Sequence, residues 1–421
     1  MAITTINRAQ PSLTFFEGAS TETVYECVKN LTKASDICSI SMVNRHFQQI
    51  IFSDTFPLWK PLLLLHFPCS FQLTPQLLNP KELYRLLKRT DNNMREGICQ
   101  KQNSSTQQRA VSCLAIQDSL LISGSADCTI HIKDLKSGAL LHCLEGHESP
   151  IFCLAAQGDR LVSGSADNTV KIWSLENGYL LHSLEMHEGG VFSLAIDKGK
   201  IISGSADDTI KICDLESGTL LHTLNGHQNV VNLLKTIDGK VISASWDNTI
   251  KIWDLESGDL LHTLNGHQGK VTCLEIQEHR IISSSSDSTI KIWDLDSGAL
   301  LHSFEEHDKG VNCFVIKDGL LISGSDDCTI KFWDLDSCTF LQSLDKHQKP
   351  VTSLILKDDL LISGSVDNTI KIWDLDTAIL LHSLSSDRDS ISYLKLENGK
   401  VISVSWDNKI RIWDFNPERK N

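Results

Sequence analysis

The sequence predicts an all-β, eight-bladed β-propeller that is preceded by a small all-α domain. An internal repeat is the first observation, since the aspartate of a Ser-x-Asp triplet recurs every forty residues, at Asp127, Asp167, Asp207, Asp247, Asp287, Asp327, Asp367 and Asp407. Each repeat also holds four short apolar runs bounded by turn residues, which is the strand content of one propeller blade. Residues 1–90 lack the repeat and space their apolar residues as helices do.

Length and composition exclude several classes of protein. The 421 residues are 41% apolar and 22% charged, and every apolar run is far shorter than a membrane span. Net charge is −14, with +2 on residues 1–100 and −16 on the rest, which disfavours a nucleic-acid-binding face. The thirteen cysteines include no pair at C-x-x-C spacing, so we expect neither a disulfide framework nor a zinc site. Residues 1–16 lack a secretory signal, and a cytoplasmic protein is expected.

The repeat unit around Asp287 shows the four predicted strands in order. They are VTCLEI (271–276), RIISSSS (280–286), TIKIWDL (289–295) and ALLHSF (299–304). Pairs such as Asp238-Gly239 mark a tight hairpin between the first two strands of a unit. The first strand is apolar on both faces, as expected for an inner strand, and the fourth is more polar, as expected at an outer rim.

The end of the chain predicts how the ring closes. Only seven residues follow Asp414, which is too few for a fourth strand in the last unit. The missing strand must therefore come from elsewhere in the chain, and the segment 97–104 is the predicted source. Closure in this way removes an exposed sheet edge.

Residues 107–414 resemble a WD-repeat propeller. The Gly-His signature stands at residues such as Gly266-His267, and the Trp-Asp signature follows at Trp293-Asp294 in the same unit. In that family a His, a Ser or Thr, an Asp and a Trp are hydrogen-bonded inside each blade, and the resemblance implies complete sets in five units. Three units depart from the set and are predicted to be less stable. The first has Gln107 and Lys133, the third has Cys213 in place of Trp, and the eighth has Asp387 in place of His.

The recurring Ser, His and Asp also invite comparison with a catalytic triad. An active site is unique, whereas this set recurs around the ring, so we interpret it as structural and do not predict an enzyme. Six histidines recur in the fourth strands: His142, His182, His222, His262, His302 and His382. We interpret them as rim residues copied by duplication, and we predict neither a metal site nor a cofactor.

Residues 20–66 resemble an F-box. The resemblance lies in DICSISMVNRHF (36–47), in Ser53-Asp54 and in Leu58-Trp59-Lys60, directly before a WD-repeat propeller, an order characteristic of F-box/WD-repeat proteins. The family usually opens with Leu-Pro, where this chain has Ser20-Thr21. The predicted domains are a tail at 1–19, the F-box-like helical domain at 20–66, a helical linker at 67–94 and the propeller at 95–421.

F-box/WD-repeat proteins are substrate receptors of SCF-type ubiquitin ligases. The resemblance implies that the F-box binds a Skp-type adaptor, and through it a cullin-RING ligase, while the top face of the propeller holds a protein substrate. Adaptor contacts are then expected from Val24, Ile40, Met42, Val43 and Trp59. The alternative is a WD-repeat interaction scaffold without ubiquitin-ligase linkage, which includes a symbiont or pathogen protein acting in the cytosol of a eukaryotic host. Neither interpretation involves nucleic acid or a membrane.

Two positions in each unit are expected to face the mouth of the central channel, namely the x of V-x-C and the x of S-x-D. Related receptors carry arginines there that grip phosphorylated substrates, but this chain has neither Arg nor Lys at any of them. Four aromatic residues break the repeat instead and are predicted to bind substrate, with packing between blades as the alternative: Phe152, Phe192, Trp246 and Trp406. A second predicted group lies in the top loops of the fifth to eighth units: Lys270, Lys309, Lys349 and Arg388.

Overall fold

The computed structural model of the chain describes residues 90, 93–95, 97, 99–104, 107–385 and 389–415, with the backbone alone at 100 and 102–104. The chain divides between Asn93 and Met94 into two units. The described residues of the second unit form 32 strands in eight sheets of four, so the prediction of an eight-bladed all-β propeller is confirmed. The predicted F-box-like domain at 20–66 lies outside the described residues.

The first strand, β1 (Gln100–Ser104), precedes the first complete blade. Blade 1 consists of β2 (Val111–Gln117), β3 (Leu120–Ser125), β4 (Ile130–Asp134) and β5 (Leu140–Leu144). Blade 2 consists of β6 (Ile151–Gln157), β7 (Arg160–Ser165), β8 (Val170–Ser174) and β9 (Leu180–Leu184). Blade 3 consists of β10 (Val191–Asp197), β11 (Lys200–Ser205), β12 (Ile210–Asp214) and β13 (Leu220–Leu224). Blade 4 consists of β14 (Val231–Ile237), β15 (Lys240–Ser245), β16 (Ile250–Asp254) and β17 (Leu260–Leu264).

The second half of the ring repeats this plan. Blade 5 consists of β18 (Val271–Gln277), β19 (Arg280–Ser285), β20 (Ile290–Asp294) and β21 (Leu300–Phe304). Blade 6 consists of β22 (Val311–Lys317), β23 (Leu320–Ser325), β24 (Ile330–Asp334) and β25 (Thr339–Leu344). Blade 7 consists of β26 (Val351–Lys357), β27 (Leu360–Ser365), β28 (Thr369–Asp374) and β29 (Leu380–Ser385). Blade 8 has β30 (Ile391–Glu397), β31 (Lys400–Ser405) and β32 (Ile410–Asp414).

Blade 8 is completed by β1, which pairs antiparallel with β32 from Gln100 opposite Asp414 to Ser104 opposite Ile410. The prediction that residues 97–104 close the ring is therefore confirmed. Gly97 is required at the start of this segment, because its φ is +65° and an added Cβ would lie 2.5 Å from Nδ1 of His382 in blade 7. Arg95 reinforces the attachment through an ion pair of 2.5 Å with Asp374 of blade 7.

Within each blade the strands are antiparallel and pair in sequence order. The hairpins between first and second strands take the predicted tight form, since Asp238 and Gly239 both have positive φ, at 48° and 79°. From blade 1 to blade 8 the first strands of consecutive blades contact one another, whereas the fourth strands are largely exposed.

The hydrophobic core is a ring of layers, each between two blades. In one such layer Ile250 and Ile252 of blade 4 pack against Val271, Ile281 and Trp293 of blade 5. Because the apolar face of every sheet is covered by the next sheet, no blade buries its core alone. The repeated architecture thus holds eight first strands around one axis, and their upper ends form the candidate site.

Candidate functional site

The predicted hydrogen-bonded set is present in blades 2, 4, 5, 6 and 7. In blade 5, Nδ1 of His267 lies 2.9 Å from Oδ2 of Asp287, and its Nε2 lies 2.8 Å from Oγ of Ser283. The indole Nε1 of Trp293 donates to the same Oγ at 2.8 Å. Ser283 is fully buried and His267 is 5% exposed, so no substrate can reach the hydroxyl. This geometry supports the structural interpretation of the Ser, His and Asp residues.

Blades 1 and 8 contain partial replacements that the sequence analysis did not anticipate. Gln107 is buried in the position of the missing histidine, where its Oε1 accepts from Oγ of Ser123 at 3.0 Å. In blade 8, Asp387 lies outside the described residues, and Asp407 is instead paired with the buried guanidinium of Arg411. Gln107 therefore gives the buried hydroxyl of Ser123 an acceptor in blade 1, and Arg411 gives Asp407 a buried cationic partner in blade 8.

Blade 3 replaces a pair of residues rather than one. Where blade 2 has Gly146 against Trp173, with an added Cβ only 3.1 Å from the indole, blade 3 has Met186 against Cys213. The two sulfur atoms are 3.2 Å apart, and Cys213 is fully buried. In blade 3 the larger side chain is therefore in the loop, as Met186, and the smaller one is in the strand, as Cys213. This exchange keeps the space between the blades filled.

The upper end of every first strand carries a β-bulge at the x of V-x-C. The register shift between Val191 and Ser193, around Phe192, is one of eight such shifts. A bulge leaves one residue unpaired and redirects its side chain. We call the eight residues the bulge ring: Ser112, Phe152, Phe192, Asn232, Thr272, Asn312, Thr352 and Ser392.

Most members of the bulge ring join one blade to the next. Asn232 Nδ2 donates to the carbonyl of Val271 at 2.9 Å, and Thr352 Oγ1 donates to that of Ile391 at 2.6 Å. Ser112, Thr272 and Asn312 make the equivalent bond. The two phenylalanines cannot make this bond. Their departure from an otherwise polar ring is what marks them as functional candidates.

Three of the four predicted aromatic residues form one continuous group. The rings of Phe152 and Phe192 are stacked with centroids 4.6 Å apart, and the ring of Phe192 lies 6.0 Å from that of Trp246. Phe152 and Phe192 are partly buried, whereas Trp246 is 41% exposed. Part of the predicted packing between blades is therefore real, since the stacked pair spans blades 2 and 3.

Trp406 continues this group across a cavity of about 650 Å³. The cavity is lined by residues of blades 8, 1 and 2: Ala110, Val111, Ser112, Cys113, Leu114, Phe152, Cys153, Leu154, Ser392, Tyr393, Val404, Ser405 and Trp406. Trp406 is 69% exposed at its edge. We call Trp406, Tyr393, Phe152, Phe192 and Trp246 the aromatic arc, which runs from blade 8 to blade 4.

Tyr393 is a member of this arc that the sequence analysis missed. It follows the bulge residue, where six of the other seven units have Cys or Ser, as at Cys113, Cys153 and Cys313, and the fourth has Leu233. Burial raises the pKa of its hydroxyl, with further contributions from Cys273, Cys113 and Glu275. Tyr393 also lines the cavity together with residues of blades 1 and 2. A comparison of this position across the units would have identified it.

The predicted basic group is only partly described. Nζ of Lys270 lies 5.5 Å from the ring centroid of Trp246, a cation–π contact. Lys309 and Lys349 are exposed in the top loops of blades 6 and 7. Arg388 lies outside the described residues, as do the predicted adaptor contacts Val24, Ile40, Met42, Val43 and Trp59.

The histidines of the fourth strands contact neighbouring blades. His182 Nε2 lies 2.9 Å from the carbonyl oxygen of Glu216 in blade 3, and an added Cβ on Gly178 of blade 2 would lie 3.0 Å from His142. Among residues 107–385 and 389–415, no three His, Cys, Asp or Glu side chains are grouped as a metal site would require. No helix in the described part of the chain is long and apolar enough to cross a membrane.

Comparison with known proteins identifies the repeat. The family model described as "WD domain, G-beta repeat" matches residues 138–174, 178–214, 338–374 and 380–414. The WDR41 β-propeller model matches residues 215–337 between them. No F-box is among the matches. No curated protein matches the sequence.

Two solved structures illustrate the similarity of the fold. The crystal structure of the computationally designed Ika8 protein is 35% identical and has a TM-score of 0.68, and the match covers 73% of this chain and 97% of Ika8. The WD40 β-propeller domain of Doa1 is 29% identical with a TM-score of 0.51, and the match covers 66% of this chain and 95% of that domain. Both matches concern the propeller.

Proposed function

Because this chain belongs to the WD40-repeat proteins, we propose that it binds a protein partner at the mouth of the channel, through the aromatic arc. The observation that carries the proposal is the pair of phenylalanines in the bulge ring, at positions where five of the other six blades use a polar side chain to join the next blade. Aromatic side chains offer a large contact area at low cost in conformational entropy, and they dominate binding energy in protein interfaces.

The exposure of the arc supports a binding role over a purely structural one. Trp406 and Trp246 leave 69% and 41% of their surface accessible, while the tryptophans of the hydrogen-bonded sets, such as Trp293, are almost fully buried. Repeated blades without a tryptophan at the S-x-D position, such as blade 5 with Ser286, have the same fold. The exposed indoles are therefore not needed to build a blade.

The test is a selection of peptides on the full chain. A phage-displayed library of random twelve-residue peptides is panned against the protein, and the dissociation constants of selected peptides are measured by fluorescence anisotropy. We expect Phe192→Ala and Trp406→Ala each to weaken binding at least tenfold. Tyr179→Ala is the matched control, because Tyr179 is 70% exposed but lies in the turn before β9, outside the arc. Equal affinity for all variants, or no selected peptide, would refute the proposal.

A finer role is supported by the sequence of residues 20–66. We propose that this segment is an F-box that links the propeller to an SCF-type ubiquitin ligase, so that the bound partner is a ubiquitination substrate. The support is the DICSISMVNRHF pattern at 36–47 and its position before a WD40 propeller. The mechanism would be positioning, because a tethered substrate has a high effective concentration at the ligase.

Binding to a purified Skp-type adaptor tests this role by calorimetry. The control removes residues 1–89 only, because Met94 and β1 belong to the propeller. We expect one-to-one binding that is lost on deletion. No heat of binding at micromolar concentrations of the full chain would refute the ligase role and leave a WD40 interaction scaffold.

A further inference from the structure

The loops at the centre of the aromatic arc, in blades 2 and 3, carry acidic side chains, whereas Lys270 contacts Trp246 at one end of the arc. In blades 2 and 3 the top loops begin with Glu148 and Glu188, whose carboxylates are exposed and form no ion pair with any residue of the described chain. These two loops contain no lysine or arginine. Basic residues occur instead on blade 1, as Arg109, on blades 5 to 7, and in the loop of Trp406 on blade 8, as Lys409. The centre of the arc is therefore bordered by negative charge.

Both glutamates are held in place by the framework of the blade. The backbone N–H of Glu148 donates to Oδ2 of Asp167 at 2.9 Å, and that of Glu188 donates to Oδ2 of Asp207 at 2.9 Å. These aspartates are in turn bound to His147 and His187 of the buried sets. The loops consequently have a backbone that is anchored to the blade, and each exposed glutamate side chain extends from that backbone.

Gly190 keeps the stacked phenylalanines accessible between these loops. An added Cβ on this residue would lie 3.6 Å from Cε2 of Phe152 and of Phe192, and 3.3 Å from Cα of Ala166. The absence of a side chain there leaves the edge of both rings uncovered two residues from Glu188. An apolar group of a ligand can thus contact the rings while a neighbouring group meets a carboxylate.

The cavity supplies the second part of the site. Its volume of about 650 Å³ lies within the range of small-ligand pockets, and Phe152, Tyr393 and Trp406 form part of its wall. The first-strand hydroxyls Ser112 and Ser392 are engaged by backbone carbonyls, so the cavity presents mainly carbon to an occupant. It has room for a large aliphatic or aromatic side chain.

We infer that the arc recognises a linear peptide in which an aliphatic or aromatic residue is flanked by lysine or arginine. The apolar residue enters the cavity, and the basic neighbour meets Glu148 and Glu188 over the phenylalanine pair, where cation–π attraction adds to the ionic one. This inference rests on the proposed function, because it names the partner of the same surface. A phosphorylated peptide is the opposing outcome, since it would prefer the side of the ring that carries Lys309 and Lys349.

Sequencing of the peptides selected from the same library tests the inference. We expect Lys or Arg to be enriched severalfold within two residues of an apolar position. The double substitution Glu148→Gln/Glu188→Gln should raise the dissociation constant of these peptides about tenfold at 50 mM salt and less at 500 mM, because salt screens exposed charges. Glu176→Gln/Glu278→Gln is the matched control, because both side chains are exposed in turns outside the aromatic arc, and it should change the dissociation constant less than twofold.

The outcomes separate the two claims. Peptides that depend on Phe192 but show no basic preference, or an acidic one, overturn the inference and leave the proposed function intact. Peptides whose binding is unchanged by Phe192→Ala overturn the proposed function. Loss of binding in the double glutamine variant supports the inference only if the variant and the unaltered protein have the same unfolding midpoint. If the midpoints differ, the single substitutions Glu148→Gln and Glu188→Gln are tested in its place.

Discussion

Replacement of His267 by alanine should destabilise blade 5 more than any single exposed substitution. The neutral imidazole with its proton on Nδ1 satisfies the whole set: it donates to Asp287, it accepts the hydroxyl proton of Ser283 at Nε2, and Ser283 accepts from Trp293. His267→Ala removes the first two of these bonds at once. The serine hydroxyl is then buried without an acceptor for its proton.

The expected loss follows from these contacts. A buried donor without a partner costs about 1–3 kcal/mol, and a lost hydrogen bond to a charged group costs about 1.5–3 kcal/mol. Asp287 keeps its bonds from the backbone N–H of Gln268 and Thr289, so its charge remains solvated by the protein. We therefore expect the free energy of unfolding to fall by about 3–5 kcal/mol.

Urea unfolding of the full chain, followed by tryptophan fluorescence, measures this loss. The control is His279→Ala in the hairpin of the same blade. The side chain of His279 is 78% exposed, and its replacement removes a contact of 3.6 Å between its Nδ1 and Oδ2 of Asp296. That variant should stay within about 0.5 kcal/mol of the unaltered protein. An unchanged midpoint for His267→Ala would refute the account of the set as a stabilising network.

Three further predictions concern other parts of the ring. Cys213→Trp should cost about 1–3 kcal/mol because Met186 fills the space that the indole needs, and adding Met186→Gly should recover most of it in a double-mutant cycle of urea midpoints. Trp406→Ala should leave the melting temperature unchanged while peptide affinity falls, since the indole is 69% exposed; a large drop in melting temperature would make it structural. The free energy of unfolding should also decrease in two stages as the pH is lowered. Urea unfolding midpoints measured from pH 7 to pH 2 test this. Burial lowers the pKa of His147 below 6.5, so the unfolded chain gains protons first and stability falls as the pH drops below 6.5. Burial opposes the change at Asp167, but hydrogen bonds from Thr169, Glu148 and His147 hold its pKa at about 2, and its contribution is lost as the pH falls from 3.8 through that value. A flat profile from pH 7 to pH 5 would contradict the histidine stage.

The architecture could be predicted because the same pattern of short apolar runs recurs in eight units. A fixed period of forty residues places equivalent residues on neighbouring blades, so the adjacency of Phe152 and Phe192 follows from their spacing alone. The closing strand could be predicted because the last unit lacks one. Each of these predictions depends on order along the chain, which a sequence records directly.

The replacements could not be predicted in the same way, because they depend on contacts in space. The order of residues does not show that Met186 fills the space left by Cys213. It also does not show that the guanidinium of Arg411 pairs with Asp407 where other blades use a histidine. Tyr393 was missed for a simpler reason, since only two positions of each unit were compared. The bulge that directs the side chains of the ring is likewise a property of strand pairing rather than of composition.

The closure of the ring by β1 has a consequence for whatever occupies the cavity. Blades 1 to 8 follow one another along the chain, and the circle is completed in blade 8, where β32 pairs with β1, the strand that precedes blade 1 in the chain. The cavity has walls from blade 8 on one side and from blades 1 and 2 on the other. A ligand bound there contacts blade 8 on one side and blades 1 and 2 on the other, and it holds the two sides together. Its binding free energy then resists the opening of the ring, which is held closed by the pairing of β1 with β32.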